Sequence, residues 1–153
     1  MSVDINIWGN TTWYLFHALA HKIKDSDFLE LKNDLINVFK NICSILPCPD
    51  CKHDAMIQIE KIKFENITTK EHFKLLIFNF HNHINKKLNK PIFEIDKLDE
   101  KYSKANIKNI YNNFLTIYSM NANVPQLMSS SFHRQHTLPS IKTSINKILS
   151  KIN

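Results

Sequence analysis

The chain has 153 residues, three cysteines and a single glycine, and its net charge at neutral pH is +6. This length favours one ordinary domain. The first ten residues, "MSVDINIWGN", do not fit a signal peptide, and no apolar stretch approaches the roughly 18 residues of a membrane span. We therefore expect a protein made in the cytosol.

The positive charge is concentrated in the last third of the chain. Residues 101–153 contain seven basic and no acidic residues, whereas all 14 acidic residues lie before them. A solvated basic tail is the simpler interpretation, and attraction to an acidic partner is the sharper one. Aromatic residues are not interleaved with the basic ones there, so nucleic-acid binding is not expected.

The first half of the chain predicts three helices. The first begins near Asn10 or Thr11, which can cap it, and runs to about Lys24. The second begins at Asp27, which forms a capping box with Glu30, and ends before Pro47. The third begins at the cysteines, with Cys48 at the cap and Pro49 at the favoured first helical position.

The second half predicts a further long helix and a looser continuation. Thr68 and Glu71 form another capping box, and the helix that follows runs to about Asn89 before Pro91. Two short helices are predicted in "DKLDEKYSK" and "ANIKNIYNNFLTIYSM". From Asn121 to Ser140 the composition favours a flexible linker, and "IKTSINKILSKIN" favours a terminal amphipathic helix.

One glycine in such a chain disfavours β-hairpins, so we expect an all-α fold. The architecture predicted is a four-helix bundle with extra short helices. We place one domain at residues 1–120 and a basic extension at residues 121–153.

The stretch "PCPDC", residues 47–51, admits several chemistries. Zinc could take Cys43, Cys48, Cys51 and His53, but a structural zinc site usually has a second close ligand pair, and the chain has none. We therefore predict no metal. A thioredoxin-like site needs a preceding strand, and helix is predicted there instead.

Two interpretations of this stretch remain. One is a redox-active dithiol at the start of a helix, and the other is an exposed cysteine pair without function. The helix dipole and the free backbone N–H groups should lower the cysteine pKa there, and such a pair can alternate between dithiol and disulfide. Cys43 is interpreted as a core thiol.

A second constellation lies in "FHNHINKKLNKP", residues 80–91. His81, Asn85 and Leu88 share one helical face, flanked by Asn82. Buried polar groups must be hydrogen-bonded, so this face predicts either a network between helices or a pocket for a flat polar cofactor. On the first helix, Trp8, Trp13 and His17 add aromatic and imidazole groups.

Together these pieces resemble the FAD-dependent sulfhydryl oxidases of the Erv/ALR family, and most closely the short forms encoded by large DNA viruses. The family's three motifs read here as "WGNTTWYLFH" (residues 8–17), "PCPDC" (residues 47–51) and "HNHINKKLNK" (residues 81–90). Their order and spacing agree over about residues 8–102.

The resemblance implies a four-helix bundle with a short fifth helix that binds FAD. It implies that Cys48 meets the incoming thiol and that Cys51 lies next to the flavin. The residues expected to bind FAD are Gly9, Thr12, Trp13, His17, Cys51, His81, Asn82, Ile84, Asn85, Leu88, Lys90 and Tyr102.

The activity implied is that of an FAD-linked thiol oxidase. A reduced thiol protein, such as a small thioredoxin-like one, would pass electrons to Cys48 and Cys51, and O2 would accept them to give H2O2. Cellular members often carry a separate shuttle pair in a flexible tail, but this chain has no cysteine after Glu100, so direct oxidation of a partner is expected.

The resemblance further implies a homodimer through the first two helices, a viral source, and a place in the host cytoplasm or the virion. The competing hypothesis is a non-enzymatic helical adaptor with a basic tail that binds at most a zinc ion through its cysteines.

Overall fold

The computed structural model describes residues 5–92, 94, 97–119 and 128–152. In these ranges the chain forms seven α-helices and no strand, which confirms the all-α prediction. The helices are α1 Ile5–Lys22, α2 Phe28–Ser44, α3 Pro49–Glu60, α4 Lys70–Lys87, α5 Leu98–Ser103, α6 Ile107–Tyr118 and α7 Met128–Ile152. Helices α1 to α4 are the four main ones, and α5 is the short fifth.

Helix α1 is the centre of the molecule. Every residue from 15 to 20 is buried, so the helix has no solvent face along this stretch. Trp13 and His17 contact α4, whereas Thr11 and Thr12 contact α6. Because successive residues of a helix are 100° apart, these two pairs point to opposite sides. Helix α1 is therefore enclosed between α4 and α5 on one side and α6 on the other.

The predicted start of α1 was wrong by about five residues. Asn10 and Thr11 lie inside the helix, which begins at Ile5. The hydroxyl of Thr12 donates to the backbone carbonyl of Trp8 one turn earlier, at 2.7 Å. Threonine hydroxyls can make this bond within a helix as well as cap one, so a threonine does not by itself mark the start of a helix.

Helix α2 ends at the cysteine turn, as predicted. Cys48 is the N-cap of α3, and its sulfur accepts a hydrogen bond from the backbone N–H of Cys51 at 3.3 Å. Pro49 occupies the start of the helix, where its missing N–H costs nothing.

The predicted N-caps of α2 and α4 differ from those in the structure. Asp27 makes no capping hydrogen bond because a short 3-10 turn, Asp25–Asp27, already gives it helical backbone angles. In α4 the cap is Thr69, one residue after the one predicted, and its hydroxyl accepts from the N–H of His72 at 3.1 Å.

Helices α6 and α7 form an additional layer. Helix α6 packs on α1, and α7 packs on α2. Residues 128–140, predicted as linker, are helical. The proposed boundary at residue 120 lies outside the described residues.

Among the helices of the described part, none combines the length and the apolar character that crossing a membrane requires.

Candidate cofactor and dithiol site

A crevice with two lobes opens between the amino-terminal half of α1 and the carboxyl-terminal half of α4. The lobes share one wall, formed by residues from both helices and the turn after α4. The shared residues are Asn10, Trp13, His81, Asn85 and Lys90. The two lobes thus adjoin each other along the wall between α1 and α4, the two helices that carry sequence motifs.

The inner lobe is mostly apolar and reaches the redox cysteines. It contains about 660 Å³ of empty space, part of it open to solvent. Cys51 lines this lobe and Cys48 does not. The other side chains that line only this lobe are Trp8, Thr12, Phe16, Cys43, Leu46, Phe80, Ile84 and Leu88, with Gly9 contributing backbone.

The outer lobe is more polar and carries positive charge. It contains about 740 Å³ and adds Tyr14, Pro91, Lys101 and Tyr102 to the shared wall. The ammonium group of Lys101 lies 4.8 Å from the ring centre of Tyr14 and 5.5 Å from that of Tyr102. Two aromatic rings and Lys101 therefore surround the outer end of the crevice, and Lys90 lies on the wall that the two lobes share.

Flat rings line the middle of the crevice. The rings of Trp13 and His81 stack with centres 4.1 Å apart and an angle of 9° between their planes. Behind them, Nε2 of His17 lies 2.9 Å from Nδ1 of His81, a distance at which one imidazole N–H donates to the other ring. Histidine from α1 and histidine from α4 thus hold the shared wall together.

This pair is uncharged at neutral pH. Burial, with His81, His21 and Lys101 as further causes, lowers the pKa of His17 to about 2. Burial and the nearby Lys101 and Lys90 lower the pKa of His81 to about 4. A charged imidazole would lose its hydration here and be repelled by the nearby lysine charges, so the neutral form is favoured.

The two cysteines lie at the start of α3, Cys48 as its N-cap and Cys51 in its first turn. Burial, the hydrogen bond with the Cys48 side chain and the negative charge of Asp50 raise the pKa of Cys51 to about 12. The predicted lowering of the cysteine pKa was therefore wrong for Cys51. The loss of hydration around the Cys51 sulfur, together with its hydrogen bond to the Cys48 side chain, outweighs the backbone hydrogen bond, which lowers the pKa.

Cys43 is a core thiol, as predicted. Its side chain is 1% exposed, and burial raises its pKa far above the ordinary value. It also contributes to the floor of the inner lobe, which the sequence did not indicate.

An ion pair connects the dithiol helix to α4. Asp54, one turn after Cys51, is buried, and its carboxylate lies 3.0 Å from Nζ of Lys87. Nε2 of His83 lies 3.3 Å from the other carboxylate oxygen. This contact fixes the helix that carries Cys51 against the helix that carries His81 and Asn85.

Ten of the twelve residues expected to bind FAD line the crevice. They are Gly9, Thr12, Trp13, Cys51, His81, Ile84, Asn85, Leu88, Lys90 and Tyr102. The other two are placed differently. His17 lies one layer behind the wall and supports His81, and Asn82 is half-buried at the next position of α4.

Sequence reasoning missed Lys101 and Tyr14. Lys101 precedes the expected Tyr102 and lies outside the motifs, whereas Tyr14 occupies an unspecified position of the first motif, between Trp13 and His17. The basic, aromatic outer lobe arises because α5 folds back onto α1. Only this long-range packing reveals that the two residues belong to the site.

Within the described ranges, no three His, Cys, Asp or Glu side chains converge in a group that could hold a metal ion.

Comparison with known proteins places the chain in a family. The model of the Erv1 / Alr family matches residues 10–103, a range that holds α4, the dithiol and most of α1. The chain belongs to this family.

Its relatives include viral and cellular proteins. A protein of Invertebrate iridescent virus 3 that is named "Putative FAD-linked sulfhydryl oxidase 096R" is 31% identical over 103 residues, which cover 67% of this chain and 70% of that protein. A FAD-linked sulfhydryl oxidase of African swine fever virus (isolate Pig/Kenya/KEN-50/1950) is 30% identical over 67% of this chain and 86% of its own.

A mitochondrial FAD-linked sulfhydryl oxidase of Schizosaccharomyces pombe is 26% identical over 66% of this chain and 56% of its own. No solved structure matches the chain.

Proposed function

We propose that this protein is a FAD-linked sulfhydryl oxidase that makes disulfide bonds in partner proteins. The observation that carries the proposal is the arrangement of the two adjoining lobes, the inner one lined by Cys51 and the outer one by Lys101, with the stacked Trp13 and His81 on the wall that they share. The family membership and the names of the viral relatives support the same activity.

The residues present fit FAD as the cofactor. The apolar inner lobe suits a flat ring system, because Trp13, Phe80 and Ile84 offer surfaces without charge. Lys90 and Lys101 suit the two phosphates, and Tyr14 and Tyr102 suit a second flat ring at the outer end. Bound there, FAD would supply a two-electron acceptor that oxygen can regenerate.

The chain's own residues perform the thiol exchange. In the oxidised enzyme a thiolate of the partner attacks the Cys48 sulfur, Cys51 leaves as a thiolate, and the partner's second thiolate then releases Cys48. Each disulfide formed in a partner thus leaves Cys48 and Cys51 reduced, as a dithiol. Two electrons and two protons must leave this dithiol before the next cycle, and O2 accepts them as H2O2.

The position of each cysteine fits its role. Cys51 lines the inner lobe, next to the proposed ring site, while Cys48 lies outside that lining at the cap of α3. A partner can therefore reach Cys48 without entering the cofactor crevice. The partner proposed is a reduced thiol protein, with a small thioredoxin-like protein as one form of it.

The setting proposed is viral. The viral relatives support a virus-encoded enzyme that oxidises virion proteins in the host cytoplasm or the virion. Within a reducing cytosol such an enzyme would work against the glutathione pool, with oxygen as the final oxidant.

The test is to purify the chain, record its visible absorption and measure oxygen consumption with dithiothreitol. We expect a yellow protein that consumes oxygen and releases one H2O2 for each O2. The variants Cys48→Ser and Cys51→Ser should retain the flavin and lose turnover to background, because the dithiol, not the fold, has been removed.

Flavin retention is the internal control, since it separates a lost dithiol from a lost fold. A colourless protein with stoichiometric zinc would instead support the adaptor hypothesis. Full turnover in either serine variant would exclude the dithiol mechanism even in a yellow protein.

A further inference from the structure

The contact between α7 and α2 has a strict antiparallel register. Four side chains of α7 meet four of α2, and each step toward the end of α7 is a step toward the start of α2. The pairs are Ser140 with Asn41 at 3.5 Å, Ser144 with Asn37 at 2.8 Å, Lys147 with Asp34 at 3.1 Å and Lys151 with Glu30 at 3.5 Å.

An apolar stripe lies beside this polar seam. Leu138, Ile141, Ile145 and Ile148 recur at spacings of three and four residues, and the three isoleucines are 0% exposed. This is the spacing with which one helix packs along another. The exposed ion pairs fix the register, while the apolar stripe carries most of the stabilisation.

Helix α6 covers the neighbouring helix in the same way. Phe114 and Tyr118 of α6 are buried, and the Tyr118 hydroxyl is hydrogen-bonded to Thr12 of α1. Buried residues of α6 and α7 belong to one hydrophobic cluster with those of α1 and α2, and we call the surface that α6 and α7 cover the α1–α2 face.

This cover lies outside the family unit. The family match ends at residue 103, before α6 begins at Ile107. The African swine fever virus relative is matched over 86% of its own length, so little of its chain remains to supply such a layer. Without α6 and α7, this face would expose apolar side chains of α1 and α2, and exposed patches of this kind are normally covered by another protein.

We propose that α6 and α7 take the place of a second protein on the α1–α2 face, so that the chain acts as a monomer. The homodimer through the first two helices, which the family resemblance implies, requires a surface that this chain covers with its own residues. The proposal rests on packing alone and is independent of the flavin chemistry.

The mass in solution tests the proposal directly. Sedimentation equilibrium of the full chain should give 18.0 kDa over a wide range of protein concentrations. A mass near twice that value at micromolar concentration would overturn the proposal.

A cross-link distinguishes α7 packed on α2 of its own chain from α7 packed on α2 of a second copy. Asn37→Cys with Ser144→Cys, joined by a short thiol-reactive reagent and mapped by mass spectrometry, should link α2 to α7 within one chain. A link between two chains, or none, would contradict the proposal. Asn33→Cys with Asn146→Cys is the matched control, because both positions are exposed, and this pair should stay unlinked.

A buried charge should release the cover. Ile145→Asp places a carboxylate in the apolar stripe, so we expect faster hydrogen exchange in α2 and a mass above 18.0 kDa. Asn146→Asp, on the exposed side of the same turn, should leave both readouts unchanged. Unchanged exchange and mass in Ile145→Asp would show that α7 does not protect this face.

Discussion

At the scale of single residues, the site depends on two imidazoles that stay neutral. His17 is 1% exposed and His81 is 8% exposed, and each has a lowered pKa because a charged ring would be poorly solvated there. The unfolded chain binds a proton on each imidazole near pH 6.5, whereas the folded chain does so only near pH 2 and pH 4. Their contribution to stability is therefore complete above pH 6.5 and is lost as the pH falls.

We expect the free energy of unfolding in urea to fall on acidification. Each imidazole contributes about 1.4 kcal/mol per pH unit below 6.5, so the two lower the stability by roughly 2–3 kcal/mol between pH 7.5 and 5.5. The variant His81→Gln should show about half of this slope. His53→Gln, at an exposed position, should keep the slope of the parent, and equal slopes in all three proteins would show that the buried pair is not responsible.

The scale of helices is governed by contacts between elements as much as by local signals. Pro139 lies in the interior of α7, where proline removes a backbone hydrogen bond and crowds the preceding turn. The helix continues through it because Leu138 and Ile141 are buried on either side.

Replacement of this proline should stabilise the protein. Pro139→Ala restores the backbone donor at an exposed position, so we expect the free energy of unfolding to rise by about 1–3 kcal/mol. Thermal unfolding followed by circular dichroism measures the change. Lys142→Ala, three residues later and also exposed, is the control and should change stability by well under 1 kcal/mol.

The contact between α3 and α4 leads to a prediction about activity. Asp54→Asn removes the charge that holds Lys87 and His83, so we expect about 1–2 kcal/mol lower stability and slower turnover with dithiothreitol. Glu60→Gln, an exposed carboxylate at the end of α3, should alter neither quantity. Parent-like turnover in a destabilised Asp54→Asn would separate the ion pair from the positioning of Cys51.

These elements show what the sequence can predict. The cap of α3 was readable because Cys48 and Pro49 make their local contacts with the next turn only. The starts of α1 and α7 were not, because Asn10 and Thr11, which can cap a helix, and Pro139, which disfavours one, lie inside helices that tertiary packing stabilises. In the crevice, the motifs predicted the residues from Trp13 to Lys90, whereas Lys101 depends on how α5 folds back.

At the scale of the whole molecule, the helix that carries the basic end of the chain packs on the core through its apolar side. Of the seven basic residues after Glu100, Lys147 and Lys151 pair with acidic residues of α2. The acidic partner that the charge distribution suggested is therefore supplied in part by the same chain. Buried residues of α6 and α7 share one hydrophobic cluster with those of α1 and α2.

We therefore expect the chain to unfold in one cooperative transition. Trp8 and Trp13 report on α1 by fluorescence, while circular dichroism reports on all helices, so the two urea curves should coincide. Two separate transitions, with fluorescence changing last, would instead support an independent extension after residue 120.

The antiparallel register of α7 also determines where this protein can be joined to a carrier or a solid support. Because Lys151 lies beside Glu30, at the start of α2, the last turn of α7 is roughly 25 Å from the end of α2 that leads to the dithiol. A carrier, dye or solid support joined after Ile152 would therefore stand clear of Cys48. A protein immobilised in this orientation would present its redox end to large substrates in solution.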